Sequence, residues 1–252
     1  MTHSLAALLL LLFLLLVMPV WGWLDMRRLK RQGAAATRMQ SYAVTIGVMW
    51  LLTLVSAWLV PAHALWVPPA GLATGMKLDV VPPGALIGVA VGLMIGLLAP
   101  VIMVRRTPGA AGKQLAPIRF LLPTTVAQRW MFALVCVTAG IAEEIVYRGF
   151  VLHVLVVVWP GTNGWWIVLA AAALFGIAHA YQGKAGTVVT GVMGVLFSLF
   201  YIATGNLLLP MALHTLVDLR IFLLIPSEAG AGGTQGERRS CRRGRHFLAV
   251  FL

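Results

Sequence analysis

Two adjacent carboxylates, Glu143 and Glu144, interrupt an almost continuous apolar stretch, Ala-Gly-Ile-Ala-Glu-Glu-Ile-Val-Tyr-Arg-Gly-Phe. Arg148 follows Glu144 by four residues, a spacing that places both on one face of a helix. A charged side chain at the centre of a membrane helix costs roughly 2.5–3.5 kcal/mol, so ionisable groups kept there mark functional sites. An ion pair between Glu144 and Arg148 would neutralise one carboxylate and leave Glu143 to act as a base. A purely structural pair would account for Glu144 and Arg148 but not for Glu143.

Two histidines lie on other apolar stretches and extend this set of acid–base groups. His179 ends one stretch, in Leu-Phe-Gly-Ile-Ala-His-Ala, with Phe175 four residues before it. His214 lies within a later stretch, and Asp218 follows it by four residues. If Glu143 and both histidines cooperate, they must come within hydrogen-bond reach or about one water of each other.

Other catalytic classes are poorly supported by the sequence. No Ser or Cys lies beside a His at helical spacing in the deep stretches, which argues against an acyl-enzyme. The zinc-protease motif His-Glu-x-x-His is absent. Glutamate and histidine are nevertheless acceptable ligands for zinc, so a metal-dependent mechanism stays open. His153 falls on the helix face opposite Glu144, and we predict a packing or outer-leaflet role for it.

The composition predicts an integral membrane protein. Sixty per cent of the 252 residues are hydrophobic and only 10% are charged. A membrane-spanning helix needs about 20 apolar residues. We therefore predict an all-α, polytopic transmembrane bundle of about seven spans, near 4–24, 41–60, 84–104, 126–158, 164–181, 185–203 and 205–225.

Basic residues follow every second predicted span. They come after the first, third, fifth and seventh, whereas the intervening connections hold only Lys77. This is the positive-inside pattern, and it predicts an outside N-terminus and a cytoplasmic C-terminus. The net charge of +12 is thereby explained by topology and anionic lipid, with no role for nucleic acid. The first stretch lacks a basic n-region and a small-residue cleavage site, so we expect an uncleaved anchor.

Two features of the predicted bundle concern helix geometry. A helix over 126–158 would be about 50 Å long against about 30 Å of hydrocarbon. It must therefore tilt and overhang, or break near Gly140 or Gly149. The Gly-x-x-x-Gly pattern at Gly92 and Gly96 predicts close helix packing, and Gln128, Arg129 and Trp130 predict an interfacial collar.

Three motifs follow one another along the chain: Glu143-Glu144-x-x-x-Arg148, Phe175-x-x-x-His179 and His214-x-x-x-Asp218. This arrangement resembles the signature of the CAAX-protease and bacteriocin-processing (CPBP, or Abi) family of polytopic intramembrane endopeptidases. The resemblance covers roughly 125–225. It divides the chain into an N-terminal membrane region over 1–124, a catalytic core of four spans over 125–225 and a basic cytoplasmic tail over 226–252.

The resemblance also implies roles for the motif residues. Glu143 would be the general base that activates water, while Glu144 and Arg148 hold the first motif in shape. His179 would assist the water or the leaving group. His214 and the position of Asp218 belong to the third motif, which stabilises the oxyanion.

Asp218 stands where the family more often has Asn. An ionised Asp accepts hydrogen bonds but cannot donate one to an oxyanion. Either Asp218 is kept neutral by an apolar site, or it is ionised and orients His214. We favour the second alternative because the two residues share a helix face, and His214 then becomes the oxyanion partner.

These observations predict an intramembrane endopeptidase, in an inner bacterial membrane, that uses glutamate-activated water. Its expected partners are the lipid bilayer and a membrane-associated or lipidated protein or peptide substrate. No cofactor is needed, although zinc is an alternative. A proton-coupled transporter that uses the buried glutamates, or a catalytically inactive membrane adaptor, are the competing hypotheses.

Overall fold

The computed structural model describes residues 2–33, 35–107, 109–110, 115 and 118–225. The tail predicted over 226–252 lies outside the described residues. The helices are α1 (Thr2–Gln32), α2 (Ala35–Leu59), α3 (Ala62–Trp66), α4 (Leu72–Gly75), α5 (Pro83–Arg106), α6 (Val126–Glu144), α7 (Leu152–Val158), α8 (Gly164–Ala178), α9 (Gly183–Thr204) and α10 (Leu208–Leu219). The described part of the chain contains no strand, which confirms the all-α prediction.

Four helical segments are long and apolar enough to cross a membrane. They are Leu5–Gln32, Ala35–Leu59, Pro83–Arg106 and Ala180–Thr204, and Gly164–Ala178 is a shorter apolar helix. The helix predicted near the C-terminal end of the bundle is short, because α10 has only 12 residues before a 3-10 turn over Arg220–Leu223. The count of about seven spans and their orientation stay predictions.

The segment 126–158 is one continuous helical path, broken at neither glycine. α6 runs into a π-helical stretch, Ile145–Val151, which runs into α7. Single π-helical turns of this kind occur frequently at functional sites. This one begins directly after Glu144 and contains Arg148, so it lies within the first motif.

Glycines allow the elements around the first motif to approach closely. A Cβ on Gly149 would lie 2.8 Å from the backbone oxygen of Leu65, which belongs to α3. A Cβ on Gly140 would lie 2.7 Å from the backbone nitrogen of Thr215, in the helix that carries His214. Such distances are far below van der Waals contact, so only glycine fits at these two positions without movement.

The prediction of close packing at Gly92 and Gly96 is wrong. A Cβ at either position meets no described atom within 4 Å. Spacing alone cannot distinguish a helix face that meets another helix from one that does not. The close approaches occur instead around the predicted catalytic core.

The start of α6 is tied to α2 by buried hydrogen bonds. Gln128 is 1% exposed, and its amide nitrogen donates to the Ala35 carbonyl at 3.0 Å. Its amide oxygen accepts from the backbone of Thr124 at 2.7 Å, and the Thr124 hydroxyl in turn accepts from Arg38. Gln128 therefore belongs to a helix junction and not to an interfacial collar, whereas Trp130 is 75% exposed as a collar residue would be.

Candidate active site

Glu144 and Arg148 form a fully buried ion pair. Arg148 Nη1 lies 2.9 Å from Glu144 Oε1, and the two side chains are 1% and 0% exposed. The guanidinium also lies over the rings of Phe175 and Phe197, 4.4 and 5.3 Å from their centroids. Aromatic faces attract a cation, most strongly where water is excluded. The charge of Glu144 is thus compensated inside the bundle, as the four-residue spacing predicts.

His214 is oriented by Glu144. Its Nδ1 lies 2.7 Å from Glu144 Oε1, and its ring stacks on Phe197 with centroids 5.2 Å apart. Because a carboxylate only accepts, Nδ1 carries the proton. The oxygen that accepts from Arg148 therefore also fixes the tautomer and direction of the imidazole.

The predicted role of Asp218 in orienting His214 is wrong. Asp218 Oδ2 lies 3.7 Å from Nε2 of His214, beyond direct hydrogen-bond distance and on the side of the ring away from Nδ1. The Asp218 side chain is 33% exposed, so it lies at the rim of the site. The shared helix face brings the two residues near each other, but the first hydrogen bond of His214 goes to a different helix.

His179 follows directly after α8 and is fixed by its own helix. Its Nδ1 lies 2.8 Å from the carbonyl oxygen of Phe175. Since that oxygen can only accept, Nδ1 is the donor and Nε2 of the neutral ring presents a lone pair. The Phe175 ring packs edge-on against the imidazole, with centroids 4.7 Å apart. Phe175 therefore contacts His179 in two ways, through its backbone carbonyl and through its ring.

Glu143 faces both histidines. Its Oε2 lies 3.7 Å from Nε2 of His179 and 3.9 Å from Nε2 of His214. Both distances exceed a direct hydrogen bond but can be spanned through one water. The six residues singled out in the sequence are therefore brought together: Glu143, Glu144, Arg148, His179, His214 and Asp218. The two glutamates differ as expected, because Glu144 is enclosed while Glu143 is 15% exposed.

A cavity of about 560 Å³ opens onto Glu143, His179 and Asp218. Its walls include α1 and α2, which precede the three motifs in the chain. A Cβ on Gly22 of α1 would lie 3.1 Å from the ring of Tyr181, and that ring lies 5.8 Å from the His179 ring between centroids. His153 is not among the described residues that line this cavity.

Sequence reasoning missed several residues that shape the site. Phe197 supports both Arg148 and His214 but belongs to no motif. Tyr147, which also belongs to no motif, packs its ring on Phe175 with centroids 4.9 Å apart. Aromatic residues are common in any apolar helix, so no sequence signal separates these from the rest.

In the described part of the chain, no group of three or more His, Cys, Asp or Glu side chains is placed to hold a metal ion. Nδ1 of each histidine forms a hydrogen bond with a backbone or carboxylate oxygen, whereas Nε2 of each faces Glu143 at 3.7 and 3.9 Å.

Comparison with known families supports the interpretation of the three motifs. Residues 125–220 match the family model described as Type II CAAX prenyl endopeptidase Rce1-like. No curated protein and no solved structure matches the chain. All six candidate residues lie within the matched segment. Four apolar helical segments of the described chain are long enough to span a membrane, which supports an integral membrane protein. Residues 125–220 are therefore similar to the Rce1-like CAAX endopeptidases, as their CPBP-type motifs predict, and this similarity supports an intramembrane protease.

Proposed function

We propose that this protease hydrolyses a peptide bond of a membrane-associated or lipidated substrate with water activated by Glu143. The observation that carries the proposal is the position of Glu143 Oε2, within one water of Nε2 on both His179 and His214. Neutral His179 and ionised Glu143 both present acceptors to the space between them. A water there would donate a hydrogen to each and expose its oxygen lone pair for attack.

The reaction needs no proton donor or acceptor besides Glu143. Glu143 takes a proton from the water as the new carbon–oxygen bond forms, and the carbonyl electron pair moves to the oxygen. When the carbon–nitrogen bond breaks, the protonated Glu143 returns its proton to the leaving amine. His179 holds the water through Nε2. Such positioned acid–base groups contribute roughly 10²–10⁴-fold to rate.

His214 is the proposed oxyanion partner. With Nδ1 donating to Glu144 Oε1, a doubly protonated ring has a second donor, Nε2–H, on the side of Glu143. Arg148 and Glu144 do not touch the substrate in this scheme, and their role is to hold that ring. Asp218 cannot serve as the donor when ionised, so its proposed place is at the rim, next to the entering substrate.

The competing functions are distinguished by what accumulates in cells. We expect the membrane proteome of cells with Glu143→Ala to contain an uncleaved protein that is processed when the wild-type chain is present. The matched control is His153→Ala, which removes a histidine from the same helical path outside the cavity. Loss of a solute flux with no change in any protein fragment would favour the transporter. An unchanged proteome with both variants would favour the inactive adaptor.

The natural setting we propose is an inner bacterial membrane.

The mechanism also makes a prediction about metal. Glu143 is the water base in our proposal, so purified enzyme should keep its cleavage rate after exhaustive chelation and dialysis. Elemental analysis should find far less than one zinc per chain. Activity that disappears with the chelator and returns with added zinc would overturn the direct-water mechanism, because Glu143 would then serve as a ligand.

A further inference from the structure

His214 lies among three carboxylates that belong to two helices. Its Nδ1 is 2.7 Å from Glu144 Oε1, and its Nε2 is 3.9 Å from Glu143 Oε2 and 3.7 Å from Asp218 Oδ2. The first contact is a hydrogen bond, and the other two lie just beyond that distance. The imidazole is buried, so salt screens these charges only weakly. Both nitrogens of the ring therefore face negative charge.

The guanidinium groups of the site do not balance its three carboxylates. Arg148 pairs with Glu144 inside the bundle. Arg220, in the 3-10 turn after α10, interacts electrostatically with Asp218. If both histidines were neutral, the three carboxylates and two guanidinium groups would leave one net negative charge. Uncompensated charge in a site that is shielded from water is costly, so the cluster favours one additional proton.

The geometry favours the His214 ring over the Asp218 carboxyl as the place of this proton. A hydrogen bond to the charged form of a group favours that form, and Nδ1 of His214 already donates to the Glu144 carboxylate. The Asp218 side chain is 33% exposed, so water and the neighbouring guanidinium stabilise its ionised form. His179 is a poorer place for the proton, because its Nδ1 donates to the Phe175 carbonyl, which is uncharged.

Other groups near the His214–Asp218 pair carry no charge at neutral pH. Tyr181 and Cys136 both interact with Asp218, and a phenol and a thiol are uncharged at neutral pH. The faces of α5 and α9 that pack against α10 are apolar, with Leu97 on α5 and Phe197 on α9. The protonation of His214 therefore depends on the carboxylates and guanidinium groups already named.

We propose that Asp218 is a positioning residue that acts through His214, because its ionised carboxylate holds the second imidazole proton on Nε2. The assignment rests on the proposed endopeptidase function, in which this Nε2–H donates to the oxyanion. An ionised Asp cannot donate to the oxyanion itself, but it keeps the neighbouring donor positively charged. A cation fixed where negative charge develops stabilises the transition state.

The test measures kcat against pH for the full-length wild type and Asp218→Asn in phosphatidylcholine nanodiscs, with a fluorogenic, farnesylated C-a-a-X peptide as the probe. Asn keeps the shape of Asp and removes its charge. Without that charge His214 loses its second proton at a lower pH. An opposite charge at this range shifts a titration by about 1–3 pH units. The pH of half-maximal kcat on the alkaline side should therefore fall by about 1–3 units in Asp218→Asn.

Two variants serve as controls. Asp218→Glu keeps the charge and should keep the alkaline side of the profile close to that of the wild type. Asp79→Asn makes the same substitution at an exposed residue away from the cavity, and should leave the profile unchanged. Equal profiles for Asp218→Asn and the wild type would overturn the assignment. That is the result expected if Asp218 itself carries the proton, since an amide replaces a neutral carboxyl without a change of charge.

Ring-nitrogen NMR of isotope-labelled histidine separates this assignment from the proposed function. The His214 signals are those that disappear in His214→Gln. We expect both nitrogens of His214 to be protonated in the wild type at a pH where Asp218→Asn retains only one proton. If the wild type cleaves no probe but this difference is seen, the proposed function fails and the placement of the proton stands. If the probe is cleaved and the difference is absent, the assignment fails alone.

Discussion

We expect Glu143→Gln to reduce peptide cleavage by roughly 10²–10⁴-fold, the usual loss when an acid–base catalyst is removed. Gln has the size and shape of Glu, but its neutral amide cannot take a proton from water. Glu143 makes no direct hydrogen bond through Oε2, so the substitution breaks no such contact. The variant should therefore fold as the wild type does. The cleavage rate of a farnesylated C-a-a-X peptide by purified protein, with the thermal unfolding midpoint alongside, measures both quantities.

His153→Gln is the matched control for this experiment. It makes the same kind of substitution on the same helical path, away from the cavity, and should retain wild-type cleavage. If Glu143→Gln retains more than about a tenth of the wild-type rate, water must be activated by another group. Asp218 at the rim would then be the next residue to replace.

The second large effect is on stability. We expect Arg148→Ala to destabilise the fold by about 3–5 kcal/mol, because removing one partner leaves an uncompensated buried charge on the other. Glu144 is 0% exposed, so solvent cannot replace the guanidinium. The lost side chain also packs between Phe175 and Phe197. The yield of folded protein in membranes and its thermal midpoint in detergent measure the effect.

A double variant separates charge from packing. Glu144→Gln combined with Arg148→Met removes both charges and keeps the volume of both side chains. It should recover much of the lost folded yield, since removing both charges together leaves no uncompensated ion in the core. It should not recover cleavage, because His214 loses its charged partner. If Arg148→Ala folds as well as the wild type and loses only activity, then the pair is catalytic and not structural.

Much of the candidate site could be predicted from spacing along single helices. Four-residue spacing predicts the Glu144–Arg148 pair, which the structure places at 2.9 Å. The same rule places Phe175 next to His179, and the Phe175 carbonyl binds the imidazole. The all-α membrane class follows from composition, because several apolar segments reach the length of about 20 residues that a membrane-spanning helix needs. The order of the motifs predicted the family that residues 125–220 match.

Contacts between helices could not be predicted in this way. Spacing paired His214 with Asp218, yet the shorter contact, 2.7 Å, runs from His214 to Glu144. That contact requires α10 to lie against α6 at Gly140, where a Cβ would collide with the backbone of Thr215. The similar-looking Gly92 has no neighbour within 4 Å. Whether a glycine packs against another helix depends on the position of that helix, and the sequence around the glycine does not give this position.

The sequence by itself determined which residue types carry the chemistry, which of them share a helix face and which solvent surrounds them. Helical periodicity and hydrophobicity are properties of one segment, so they can be read from that segment alone. Only the tertiary structure decided that Glu143 faces both histidines, that Glu144 orients His214, and that α1 forms part of the cavity. Those outcomes depend on how the helices are rotated against one another, as at the close contact between Gly140 and Thr215. Packing between segments, and not any pattern within one, fixes that rotation.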